Sequence, residues 1–247
     1  MDLTLGAVLR RGLLAGLAAG VAAALVALFV VEPVIRDALV VEEARAAAEP
    51  AGAHEEELVT RTTQVIGGML AAVVVALCLA VVLAVVFAAV RHRLPGGTDF
   101  GRLGALAAYG FVTVALLPGV KYPANPPAVG DPDTVTTRTL QYFSLIAAAI
   151  AVTWLAFAVR NALRRRDWPA PRAVVVSTIA AVTGYVLLLV LWPANPDPIP
   201  ADIASLLWRF RLASLAELAA LWGTLGLTMG LLLTTRRTPA TPATAAT

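Results

Sequence analysis

One carboxylate stands where an apolar environment makes it expensive. Glu217 is the only Asp, Glu, Lys or Arg in the stretch 212–233. An ionised side chain at the centre of a bilayer costs about 2.5–3.5 kcal/mol on insertion scales, and persists where it is paired or lines a cavity. Two roles follow for it: a Glu–Arg pair holding helices together, or a ligand along an ion path. It lies about 9 Å along a helix from the start of that stretch. Arg209, Arg211 or an arginine from elsewhere can reach that depth, which favours the pair.

Other candidate ligands are oxygens in proline-stiffened loops. Asn125, Asp131 and Asp133 fall between Lys121 and Asp133, and Asn195 lies in the sister string Pro193-Ala194-Asn195-Pro196. Amide, carboxylate and carbonyl oxygens at this density can hold a hard or borderline divalent cation. Turns rich in Pro, Asn and Asp are also an ordinary way to build a loop. His54, followed by Glu55, Glu56 and Glu57, could collect cations weakly, or belong to a solvated helix end. Two histidines and one cysteine are too few for a conventional His/Cys metal site. No HExxH, CxxC, GxSxG or P-loop string occurs, so an enzyme is not expected, nor a resident cofactor.

The elements that must position these residues follow from composition. Of 247 residues, 59% are hydrophobic and 14% charged, against roughly 45–50% and about 25% in soluble domains. So few charges could not cover a soluble surface. Six apolar blocks, residues 12–31, 65–90, 103–120, 143–159, 173–192 and 212–233, are long enough, or nearly so, to cross about 30 Å of hydrocarbon. The expected fold is an all-α integral membrane protein: six transmembrane helices as three in–out–in hairpins, in one polytopic domain over 1–237. The outer loop 32–64 is acidic, and the Thr/Pro/Ala tail 238–247 is expected to be disordered.

Arginines set the expected orientation. Arg10, Arg11, Arg91, Arg93, Arg164, Arg165 and Arg166 crowd the ends of blocks on one side, where Asp2, Asp99 and Asp167 are the only acids. The positive-inside bias makes that side cytoplasmic and puts both termini there. The first block is too long for a signal-peptide core and is read as an uncleaved helix. Gly12, Gly16 and Gly20 share one face of it, and Gly226 with Gly230 repeat the device in the last block; small residues at this spacing let helices approach closely. With no basic stripe interleaved with aromatics, nucleic acid is excluded as a partner.

The hairpins carry an apparent internal repeat. Pro33, Pro123 and Pro193 are read as outward helix ends, and Pro-Ala-Asn-Pro occurs twice, at 123–126 and 193–196. Returning helices open with arginine: Thr60-Arg61-Thr62-Thr63-Gln64, Thr137-Arg138-Thr139-Leu140-Gln141 and Trp208-Arg209-Phe210-Arg211. Prolines at exits and arginines at interfaces are individually ordinary; their joint recurrence suggests parallel repeats about an axis along the membrane normal. Arg61, Arg138 and one of Arg209 or Arg211 would then converge near the outer face, beside Glu32, Glu217 or the Pro-Asn loops, as structural or gating residues.

At these positions the sequence resembles the CbtA family of cobalt transporter subunits. The strings are Arg11-Gly12-Leu13-Leu14-Ala15-Gly16, Glu32-Pro33, Arg61 to Gln64, Lys121-Tyr122-Pro123-Ala124-Asn125-Pro126-Pro127-Ala128-Val129-Gly130-Asp131-Pro132, Arg138-Thr139, and Leu207-Trp208-Arg209-Phe210-Arg211-Leu212-Ala213-Ser214. They spread over nearly the whole chain. The resemblance implies a multi-pass subunit in a prokaryotic cell (inner) membrane, working with a small one-span CbtB-type subunit to supply cobalt for cobalamin synthesis. Co2+ or another divalent cation would be cargo; lipid surrounds the chain, and a second copy is a further candidate partner. Relatives often carry several histidines in the first outer loop, whereas this chain has His54 alone, so capture here would rest on Glu55 to Glu57 or on the partner. A rival reading, a non-transporting scaffold that stabilises a small one-span subunit, makes the loops and arginines structural.

Overall fold

The computed structural model describes residues 4–47, 59–127, 129, 132–195 and 201–234. His54, Asp131, Glu55 to Glu57 and the tail 238–247 lie outside them. Among the described residues every regular element is helical: α1 (Leu5–Val26), α2 (Glu32–Ala46), α3 (Arg61–Val90), α4 (Asp99–Gly110), α5 (Leu117–Lys121), α6 (Val135–Arg165), α7 (Ala170–Leu191) and α8 (Ala204–Thr234), with short 3-10 and π turns between some of them. Joined end to end, they give six helices long and apolar enough to cross a membrane. If all six cross, the described ends, Thr4 and Thr234, fall on one side.

Several helix starts are written locally. Thr4, Thr60 and Thr98 precede α1, α3 and α4 in extended backbone, and each side-chain oxygen accepts from an N–H three residues on. Such caps satisfy donors that a helix otherwise leaves open. The helices overrun the apolar blocks because backbone hydrogen bonding continues into the polar interface: α3 begins at Arg61, α6 runs from Val135 to Arg165, and α8 starts at Ala204.

Pro33 does not end the first helix. A proline inside a helix lacks an N–H and crowds the carbonyl four residues back. Here a π turn, Ala27–Val31, precedes it, and the Glu32 N–H donates to Ala27 O, five residues back. The wider turn absorbs the misfit, and α2 continues to Ala46. The acidic segment expected as loop from residue 32 is therefore helical over its first part. The third span repeats the device: a π turn at Phe111–Leu116, the Leu117 N–H donating to Val112 O, then Pro118 in the first turn of α5. Pro123 and Pro193, by contrast, do follow helix ends, at Lys121 and Leu191.

Packing centres on α1 and α8. α1 lies against α3 and α8, α4 lies against α8, and α6 pairs with α7. The main core is built of small residues, among them Ala15, Ala19, Ala76, Ala80 and Ala84, closed by Phe87, Leu103, Leu225 and Met229. A second cluster joins α2 to the start of α8 through Val31, Val34, Ala38, Ile203, Leu207 and Phe210. Large apolar side chains such as Leu14, Phe29, Val190 and Leu191 point outward, as lipid-facing positions do.

The glycine faces work by proximity. A Cβ on Gly16 would lie 2.7 Å from Ala80 Cβ and 3.1 Å from Ala76 O, and one on Gly226 would meet Ala107 Cβ at 2.5 Å. Gly16→Ala is expected to cost about 1–3 kcal/mol by overpacking, read as a lower melting temperature in detergent. Gly6→Ala should leave it unchanged, since its Cβ meets nothing within 4 Å.

Candidate functional site

The end of the bundle read above as outer, with α2 and the neighbouring ends of α3, α5 and α8, gathers most of the singled-out residues. Glu32 is 5% exposed. Its carboxylate forms an ion pair with Arg61, whose Nε also donates to Oε1 at 3.2 Å, and Arg36 Nε donates to the same oxygen at 3.1 Å. Arg61 Nη1 reaches Gln64 Oε1 at 2.8 Å. The Arg61-x-x-Gln64 spacing lets the two side chains meet on one helix face, from which Arg61 reaches the π-bulged first helix.

Two more ion pairs fasten α2. Arg209 pairs with Asp37 at 2.9 Å, and Arg45 with Asp202. These pairs are solvent-exposed and worth about 0–1 kcal/mol each; their role is alignment. Arg211 Nη2 donates to Asn125 Oδ1 at 3.1 Å. Arg138 is half-buried in the second turn of α6. The arginines are thus shared out among different partners: Arg61 to Glu32, Arg209 to Asp37, Arg211 to Asn125. Like charges gain by taking separate counter-groups.

The Pro-Ala-Asn loops are tied to each other. Lys121 Nζ donates to Leu189 O at 2.8 Å, satisfying a carbonyl in the last turn of α7. Tyr122 Oη donates to Pro193 O at 2.7 Å. Burial pushes its phenol above the usual value, so it remains a donor at neutral pH. Trp192 Nε1 donates to Gln141 O at 3.3 Å. Lys121 and Tyr122, the start of the longest family-like string, therefore act on the end of α7 and on the sister loop that follows it.

Among the described residues the expected Glu217–arginine pair does not form. Glu217 is half-buried in α8, with no hydrogen bond or ion pair among the described residues. The arginines within reach by sequence turn to Asp37 and Asn125. Ser214, Glu217, Thr224 and Thr228 recur at helical spacing on one stripe of α8, at the edge of its packed face, and all four are half-buried. Single-residue reading of Glu217 passes over that stripe, although the spacing is visible in the chain.

Among the described residues no group of three His, Cys, Asp or Glu side chains is placed to hold a metal ion. Asn125 is engaged by Arg211, while Asp133 precedes α6 and Asn195 follows α7, each with partners of its own.

Comparison with known proteins adds the identity of the family. No curated protein and no solved structure matches the chain. The family described as "Probable cobalt transporter subunit (CbtA)" matches residues 5–234, from the first turn of α1 to the last residue of α8. With six membrane-capable helices inside that span, the chain belongs to the CbtA family.

Proposed function

We propose that this chain is the membrane subunit of a divalent-cation uptake system, with cobalt as cargo, that supplies cobalamin synthesis. It works in the prokaryotic inner membrane with both termini cytoplasmic, beside a small one-span CbtB-type subunit. The observation that carries the reading is Glu217: a carboxylate without a counter-charge, halfway along a membrane-capable helix, in line with Ser214, Thr224 and Thr228. An intramembrane carboxylate that is not consumed by a structural pair is available to a passing cation. Hydroxyls along the same stripe supply oxygens suited to a hard or borderline divalent ion.

Uptake of labelled cobalt by cells with and without this chain, and with and without the small subunit, tests the reading. Transport should require the chain. Unchanged uptake in its absence would leave the scaffold role, in which the ion pairs of α2 and the ties between loops only hold a partner in place.

Orientation has its own measurement. On a Cys78→Ser background, Ala48→Cys, Gly130→Cys and Asp197→Cys should all react with an impermeant thiol reagent from outside the cell. Protection of Gly130→Cys while Ala48→Cys reacts would overturn the arrangement.

A further inference from the structure

A cavity of about 860 Å³ opens between α3, α4 and α6, away from the outer-face site. α3 and α6 share no substantial packing, and the gap between them is floored by α4 and by Trp222 of α8. Its walls are apolar, with Val82, Val86, Leu106, Ile150, Trp154 and Phe157. Two hydroxyls inside are already satisfied, Thr113 Oγ1 donating to Tyr109 O at 2.7 Å and Thr153 Oγ1 to Ala149 O at 2.9 Å, which leaves the Tyr109 hydroxyl and the Asn161 amide among the other neutral polar groups of the lining. A lining so largely apolar suits hydrocarbon better than a hydrated ion.

The mouth is different. Arg93, Arg165 and Arg166 line it, all exposed, at the membrane side that carries the termini. None makes an ion pair among the described residues. The nearby acid Asp99 is divided between Arg91 at 2.9 Å and Arg102 at 3.2 Å. Asp167, next to Arg166 in the chain, forms no ion pair. Three cations without counter-charges thus crown an apolar cleft.

We propose that this cavity is a binding site for one anionic phospholipid, its phosphate held by Arg93, Arg165 and Arg166 and its acyl chain lying along α6. Dimensions agree. From Ile150 to Arg165 is about 22 Å of helix, and half of a bilayer with headgroups is roughly 20–22 Å. The cleft therefore reaches from the midplane to the headgroup level of one leaflet. Basic pockets between transmembrane helices are suited to acidic headgroups.

The test uses the delipidated full chain in detergent, titrated with phosphatidylglycerol or phosphatidylcholine and read by native mass spectrometry. Phosphatidylglycerol should be retained with a preference of about tenfold to a hundredfold, the scale expected of three basic side chains near a headgroup. The exposed-site variant Arg93→Gln/Arg165→Gln/Arg166→Gln should lower phosphatidylglycerol binding to the phosphatidylcholine level without changing the melting temperature. Ala158→Trp, which fills the cleft and leaves the arginines in place, should weaken both lipids. Equal retention of the two lipids by the wild-type chain, a triple variant that keeps its preference, or displacement of the lipid by millimolar inorganic phosphate alone would overturn the site. So would a polypeptide cross-linking into the cleft at Trp154.

Discussion

Glu217→Gln should abolish cobalt uptake while the folded protein stays abundant in the membrane. Gln keeps the shape of the side chain and can still hydrogen-bond, but it carries no negative charge for a divalent cation. Because no arginine pairs with Glu217 among the described residues, the substitution removes no counter-charge and should not lower the melting temperature. It should instead relieve the cost of holding a charge in an apolar setting, about 2.5–3.5 kcal/mol on insertion scales. Uptake reduced at least about tenfold, a change of about 1.4 kcal/mol or more in the transport barrier, with unchanged abundance, is the expected result. Loss of abundance would restore a structural role, and normal uptake with normal abundance would remove Glu217 from the mechanism. Thr224→Val serves as a second probe of the stripe: it should slow uptake less, since a hydroxyl can be replaced in part by water.

Much of the fold is legible in the chain because the bilayer is an undemanding reader. A helix must bring about 20 apolar residues to cross it, and six blocks do so. The helix ends were less legible, since hydrocarbon sets where a helix must be apolar and not where it must stop. Pro33 shows the physical reason. Read as punctuation it ends a helix, yet the π turn before it removes the clash, and Val34, Ala38 and Val41 continue an apolar face at helical spacing. That spacing was available in the sequence as evidence against a stop.

Site geometry was legible in type and not in pairing. The arginines were singled out, but which carboxylate each would take depends on helix order in space, with α8 between α1 and α4. Asp37 and Asp202 gave no local signal, because each meets its arginine across a long sequence separation. The Pro-Ala-Asn strings read as candidate cation ligands, while their neighbours Lys121 and Tyr122 tie down backbone carbonyls at the end of α7 and in the sister loop. A carbonyl's need for a donor leaves no mark on the residue type that carries it.

The largest stability effect is expected at Glu32. Its carboxylate is buried and held by Arg61 and Arg36, whose side chains are 31% and 70% exposed. Removing one partner of a buried ion pair costs about 3–5 kcal/mol, because the other charge is left uncompensated. Glu32→Ala should therefore lower the melting temperature by roughly 6–20 °C for a domain of this size. Arg36→Ala should cost under about 1 kcal/mol, as a mostly exposed helical neighbour. Glu32→Ala combined with Arg61→Ala should cost less than the sum of the two single changes, since the second removes the charge stranded by the first. Additive losses would mean that the pair contributes nothing as a pair. An unchanged melting temperature in Glu32→Ala together with lost cobalt uptake would turn the same residues from a clamp into a gate. Structural placement favours the clamp: Glu32 follows the π turn directly, so its pair with Arg61 fixes the first helix to α3 at the point where the helix changes register.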